Sequence, residues 1–174
     1  MKKLSVSITL CLIIALSAVA LAGKTQEPEY TEYLRIHIRA DSNEKKAQAV
    51  KYRVKDAVVN FLTPYIAECD TKSKAESMIK SRLSAIETVA DKVLCEQGFT
   101  YKSHAKICAE KFPTRSYGEY TLEQGYYDAL IIELGSGKGD NWWCVVYPPL
   151  CFTGAGTHYA YRSKILEIVR KFFG

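Results

Sequence analysis

The sequence predicts an α+β domain: a central, mostly antiparallel sheet packed by two long amphipathic helices, with a short C-terminal helix. Three observations predict it. Leu34–Arg39 alternates apolar and polar residues, Asp41 to Gln97 carries two apolar stripes at helical spacing, and Phe99 to Tyr147 turns to runs of strand length. A central sheet with both long helices on one face satisfies that order of elements.

In Leu34-Arg35-Ile36-His37-Ile38-Arg39 the period of two is that of a half-buried strand, with Arg35, His37 and Arg39 on one face. Asp41 or Ser42 is expected to cap the first helix. Its stripe is Ala47, Val50, Val54, Ala57, Val58, Phe61 and Leu62, and Pro64 ends or restarts it. Ser73-x-x-Glu76 resembles a capping box opening a second helix over Lys72–Gln97. Ala75, Met78, Ile79, Leu83, Ile86, Ala90, Val93 and Leu94 form its core stripe, and Gly98 is a natural stop.

Strands are expected over Phe99–Cys108, Arg115–Leu122, Tyr126–Leu134 and Trp142–Tyr147. The last is a continuous apolar run and suits a central strand buried on both faces. Gly135–Asn141 between the last two is a glycine-rich loop of hairpin type, and Arg162–Phe173 is expected to be a terminal helix docked on the core. The pattern does not specify the strand order.

The N-terminus predicts export. Met1-Lys2-Lys3 is a short positive region, Leu4–Ala22 carries no charge, and Ala20-Leu21-Ala22 has the small-x-small form of a cleavage site. The expected organisation is a signal peptide at 1–22, a linker at 23–33 and a single domain at 34–174. Retained as an anchor, the same run is long enough to cross a bilayer, and either way the body lies outside. The net charge of +5 includes Lys2 and Lys3 and demands no nucleic acid. It implies a solvated basic surface with weak membrane-surface contact.

Six cysteines include Cys11 in the signal segment, which leaves five, an odd number that cannot all pair. Cys144 and Cys151 flank Val-Val-Tyr-Pro-Pro-Leu, and a turn at the prolines makes them the leading disulfide. A single helix over Lys72–Gln97 would hold Cys95 roughly 35–40 Å from Cys69, out of reach of a bond. Cys69–Cys108 is compatible with a returning strand, and unpaired thiols are an equal alternative.

Catalytic motifs fail where they are tried. A phosphate loop needs Gly, four residues, then Gly-Lys-Ser/Thr, whereas Ile132 stands upstream of Gly137-Lys138 and Gly139 follows. His37, His104 and His158 are far apart, with no Cys-x-x-Cys or His-Glu-x-x-His to favour zinc. Cys108 with His104 or His37 is the one conceivable thiol pair, and there is no Gly-x-Ser-x-Gly elbow. The expectation is a protein that is not an enzyme, with no cofactor, metal or small-molecule substrate. Its rival is a secreted cell-wall hydrolase using Cys/His or carboxylate chemistry.

Three stretches are unusual in combination: Phe112-Pro113-Thr114-Arg115-Ser116-Tyr117-Gly118, then Gly125-Tyr126-Tyr127-Asp128-Ala129-Leu130, then Gly135-Ser136-Gly137-Lys138-Gly139-Asp140-Asn141-Trp142-Trp143-Cys144 through Pro148-Pro149-Leu150-Cys151-Phe152. With Leu34–Ser42 and Lys55-Asp56-Ala57-Val58, they resemble the stage II sporulation protein R family from Leu34 to Phe152. The resemblance implies a signal of endospore formation, made in the forespore and exported into the space between the two membranes. There the family activates a membrane-embedded aspartic protease of the mother cell, which matures the precursor of the early mother-cell sigma factor. It supplies no catalytic residue.

The expected partner-binding residues are Arg115, Tyr117, Gly137, Lys138, Asn141, Trp142 and Trp143. Aromatics and arginine are favoured interface anchors, and a guanidinium pairs a carboxylate bidentately. Trp142 and Trp143 point to opposite faces of a strand, and the glycines allow another backbone to approach closely.

Overall fold

In the computed structural model, which describes residues 32–152 and 159–173, Leu34–Arg39 forms β1 between two neighbours. The expected signal peptide, Cys11, His158 and linker residues 23–31 lie outside the described residues. The remaining elements are α1 (Lys45–Ile66), α2 (Lys72–Lys80), α3 (Leu83–Glu96), β2 (Ser103–Phe112), β3 (Arg115–Tyr117), β4 (Tyr120–Leu122), β5 (Gly125–Leu134), β6 (Asn141–Tyr147), a 3-10 turn at Leu150–Phe152, and α4 (Tyr159–Phe173). The class is α+β. The main sheet has the order β2-β5-β1-β6; β2–β5 and β1–β6 are antiparallel and β1–β5 is parallel.

The helices cover one face. Val50, Val54, Val58, Leu62 and Ile66 recur every fourth residue of α1 and are buried with Ile36, Ile38, Leu130, Ile132 and Val146 of the sheet. Ile79 of α2 and Ile86, Ala90 and Leu94 of α3 complete that core. Pro64 falls in the last turn of α1, close enough to its end that the helix runs on to Ile66. Ile165 and Val169 of α4 are buried, and Phe173 stacks near Tyr33 and Tyr120, so the terminal helix docks on the domain as expected.

Several expectations are corrected. The second helix is two, broken at Ser81 and Arg82, where the Ser81 hydroxyl and the Arg82 guanidinium both donate to the Met78 carbonyl. The cap of α2 is Thr71, whose hydroxyl accepts from the Lys74 amide. Neither Asp41 nor Ser42 caps α1, which starts after an extended Glu44 with no side-chain cap. β2 begins at Ser103 and runs on to Phe112, because Ala109–Phe112 also find partners in Gly125–Asp128. Arg115–Leu122 is not one strand but the hairpin β3–β4, turned at Gly118 with φ +64°.

β1 is not half-buried, and β6 is not central. Among the described residues β1 has two strand neighbours and β6 one, although Cys144–Tyr147 are buried. Gly135–Asp140 is consequently not a hairpin loop. It carries the chain from β5 over the end of β1 to β6, two strand spacings of about 4.8 Å each.

Cys144 and Cys151 form the expected disulfide, with Cα atoms 6.0 Å apart across a turn containing a cis Tyr147–Pro148 bond. Cys69, Cys95 and Cys108 are free. Cys69 is buried in the helix-side core, whereas Cys108 is exposed on the edge strand β2, so the compatible pair Cys69–Cys108 does not form. Removing the disulfide frees a short loop in the unfolded chain. Cys144→Ala with Cys151→Ala should lower stability by about 2–3 kcal/mol in a urea titration. A loss below about 0.5 kcal/mol would mean that packing alone holds the turn.

Candidate functional site

On the face away from the large helical core, alternate residues of β1 present Arg35, His37 and Arg39. Arg35 is fully buried. Its Nε donates to the Cys144 carbonyl at 3.2 Å and its Nη2 to the Tyr117 hydroxyl at 2.7 Å. Phe112 and Tyr127 lie 4.4 and 4.7 Å from its Cζ by ring centroid, so aromatic faces replace water around the charge. Burial still lowers its pKa and, for the same reason of lost solvation, raises that of Tyr117.

His37 is also buried. Its Nδ1 lies 2.8 Å from a Glu110 oxygen, and because a carboxylate only accepts, Nδ1 carries the proton. Burial pushes the imidazole pKa down to about 4, so it is neutral near pH 7. Asn141 favours the charged form and Arg39 opposes it. Glu110 is shared with Arg39, which also pairs with Glu133 at 2.5 Å, and Lys106 reaches Glu133 at 3.3 Å. These groups form a network across β2, β5 and β1.

Trp143 of β6 joins that network to the β3–β4 hairpin. His37 stacks on it at 5.3 Å, and the Arg115 guanidinium lies 4.3 Å from its ring centroid. Both Trp143 and Arg115 remain partly exposed. Three sequence stretches more than 100 residues apart at their extremes therefore meet in one Arg–Trp–His cluster.

The glycine-rich loop sits at the end of β1 and is bound to the chain's own β1–α1 connection. The Ser136 amide donates to the Asp41 carboxylate at 2.7 Å, the Asp140 amide to Asn43 Oδ1 at 2.6 Å, and the Gly139 amide to the Ala40 carbonyl at 2.8 Å. A Cβ on Gly139 would lie 2.6 Å from the Ser42 carbonyl carbon, so only glycine fits there. Buried Lys51 closes the loop from below, donating to the Asp140 carbonyl at 3.0 Å.

Of the residues expected to bind a partner, Arg115, Tyr117, Asn141 and Trp143 belong to this one surface. Arg115 rests over a tryptophan ring, and Tyr117 accepts from Arg35. Trp142 is on the opposite face, packed on the helix-side core with Lys55 Nζ 5.8 Å from its ring. Gly137 has φ +63°, and Lys138 beside it is exposed. Sequence reasoning missed Glu110 and Glu133 as partners of β1. The alternation in Leu34–Arg39 had grouped Arg35, His37 and Arg39, but nothing local marked which carboxylates faced them. Among the described residues no three His, Cys, Asp or Glu side chains cluster to hold a metal ion, and no helix is long and apolar enough to cross a membrane.

Residues 30–157 match the family model described as stage II sporulation protein R. The chain belongs to the stage II sporulation protein R family. A curated stage II sporulation protein R from Bacillus subtilis (strain 168) is 34% identical over 119 residues, 68% of this chain and 53% of that protein. The chain thus spans about half the length of the curated relative it matches. No solved structure matches it. In this member of the stage II sporulation protein R family, the matched stretch contains all four strands of the main sheet, the β3–β4 hairpin, the disulfide and every residue of the Arg–Trp–His cluster.

The buried imidazole gives a pH signature. His37 titrates near 6.5 when unfolded and near 4 when folded, so between those values the unfolded state binds more protons and stability rises with pH. The contribution is complete above about pH 6.5 and lost on acidification through about 4. Urea titrations should show a decline on the order of 1–3 kcal/mol across that window. His37→Gln should flatten it, and parallel curves for the two proteins would contradict a neutral buried imidazole.

Proposed function

We propose that this chain is an exported intercellular signal of endospore formation. It passes from the forespore into the space between the forespore and mother-cell membranes. There it activates a membrane-embedded aspartic protease of the mother cell, which then matures the early mother-cell sigma factor precursor. Membership of the stage II sporulation protein R family carries this reading, and the uncharged run at Leu4–Ala22 supports export.

In this reading the chain acts by contact and performs no bond chemistry of its own. The surface fits that role because Trp143 and Arg115 are partly exposed yet held in place, which reduces the side-chain entropy lost on binding. Arg115 rests over the Trp143 ring, and in this reading its guanidinium N–H groups pair with a carboxylate of the protease. Tyr117 and Asn141 border this pair, and Gly137 and Lys138 extend the surface at the end of β1. Trp142 supports the opposite core, and its contribution to contact is the smallest of the set.

The test is reconstitution in vegetative cells that lack the sporulation programme. The candidate protease and its sigma-factor precursor are co-expressed with or without this chain, and precursor size is followed on a blot. Processing should require both the chain and its N-terminal segment. Arg115→Ala and Trp143→Ala should each reduce processing at least about tenfold, the loss expected of an interface anchor near 1.4 kcal/mol or more, with secreted folded protein retained. Processing that proceeds equally without the chain would reject the activator reading. Full activity in both variants would move the contact elsewhere.

A further inference from the structure

A groove of about 380 Å³ runs between the β3–β4 hairpin and α4. Tyr117 and Tyr120 of the hairpin, Leu150 of the 3-10 turn, and Leu166 and Val169 of α4 give it an apolar lining. Its charge comes from Arg170, which is exposed at the rim. Two further guanidinium groups adjoin the Tyr117 wall. Arg35 donates to the Tyr117 hydroxyl at 2.7 Å, and its Nη1 is buried without a partner. Arg115 lies two residues before Tyr117 on β3, a spacing that shares one face. Among the described residues no carboxylate, Glu119 at the hairpin tip included, forms an ion pair with any of the three. An apolar recess edged by unneutralised guanidinium groups fits an apolar side chain flanked by carboxylates.

The chain carries such a segment where it enters the domain. Glu27-Pro28-Glu29-Tyr30-Thr31-Glu32 holds three carboxylates and one aromatic ring, and no cation. It leads directly into Tyr33, whose ring centroid lies 6.0 Å from that of Phe173. Phe173 in turn lies 4.2 Å from Tyr120 in the groove wall. One residue spans at most about 3.3–3.6 Å, so the segment is long enough to cross the groove from Tyr33. Direct connection gives it an effective concentration on the order of millimolar.

We propose that the groove is an intramolecular docking site for Glu27–Glu32, with Tyr30 on its apolar lining and the carboxylates of Glu27 and Glu29 at Arg170. The docked segment fixes the side of the domain from which the uncharged N-terminal run departs, along the hairpin that carries Arg115. This inference stands apart from the activator reading and is tested without the protease.

The test uses the folded full chain with Arg170→Lys, which keeps the charge and supplies an amine. A water-soluble carbodiimide activates a carboxylate, the amine at position 170 attacks it, and an amide forms as the reagent leaves as its urea. The Lys74–Asp70 ion pair, at 2.7 Å, is the internal control for the reaction. Mass spectrometry of mixed ¹⁵N-labelled and unlabelled protein should find position 170 linked to Glu27 or Glu29 within one chain. Glu27→Gln with Glu29→Gln should abolish that link. Independently, a glutamate-specific protease should cut after Glu29 at least tenfold faster in Arg170→Ala than in the unsubstituted protein, with the circular dichroism unchanged. Three results each overturn the proposal: a formed Lys74–Asp70 link with none from position 170 to Glu27 or Glu29, such links only between chains, or cleavage after Glu29 that ignores Arg170→Ala.

Discussion

A guanidinium sealed from water must be wrapped by something, and the wrapping of Arg35 organises half of this structure. Burying an ion costs several kcal/mol even after relaxation. Here the compensation comes from a carbonyl of β6, a phenol of β3 and the faces of Phe112 and Tyr127. Those groups belong to four different strands. The β3–β4 hairpin, with only three residues in each strand, gains its place on the sheet by completing this enclosure. Without Arg35, Tyr117 would lose its buried partner, and Arg115, two residues earlier, would lose its fixed position over Trp143.

The second constraint is the insertion of β1 between β5 and β6. A chain that ran directly from β5 to β6 as a hairpin would leave Leu34–Arg39 at an edge, with Arg35 and His37 open to water on one side. Inserted, β1 buries its apolar residues under the helices and its polar ones under the aromatic layer. The crossing loop must then pass over the end of β1, where the segment after Arg39 occupies the same space. Glycine at 139 permits that approach, and Asp41, Asn43 and Lys51 bind the loop through its backbone. The glycine-rich loop whose Gly137-Lys138 invites a phosphate reading is therefore bound, through its own backbone, to the β1–α1 connection and Lys51.

Electrostatics and packing reinforce one another on the polar face. Arg39 is partnered by two carboxylates, which leaves Glu110 able to accept from His37 without drawing a second proton into the site. The neutral imidazole can then stack on Trp143 at little cost in desolvation. A protonated His37 would add a third cation beside Arg39 and Lys51. That arrangement holds Trp143 and Arg115 at the surface, so the polar network beneath them positions the candidate contact residues.

Much of this was legible in the sequence because it is local. Period-two and period-four patterns marked β1, α1 and the apolar stripes, Gly98 marked a helix end, and the short span between Cys144 and Cys151 marked the disulfide. The motifs from Phe112 to Phe152 identified the family. Local signals failed where two readings differed only in what lay alongside: Asp41 as a helix cap or a loop anchor, Arg115–Leu122 as one strand or two, and Lys72–Gln97 as one helix or a broken pair. The sequence by itself thus determined the class of fold, the alternation of faces and the cysteine pair, all of which depend on neighbours within a few residues. Tertiary structure alone decided that β1 is central, that Arg35 is caged and that Arg115, His37 and Trp143 meet, because strand order joins residues far apart in the chain and leaves no trace in its local periodicity.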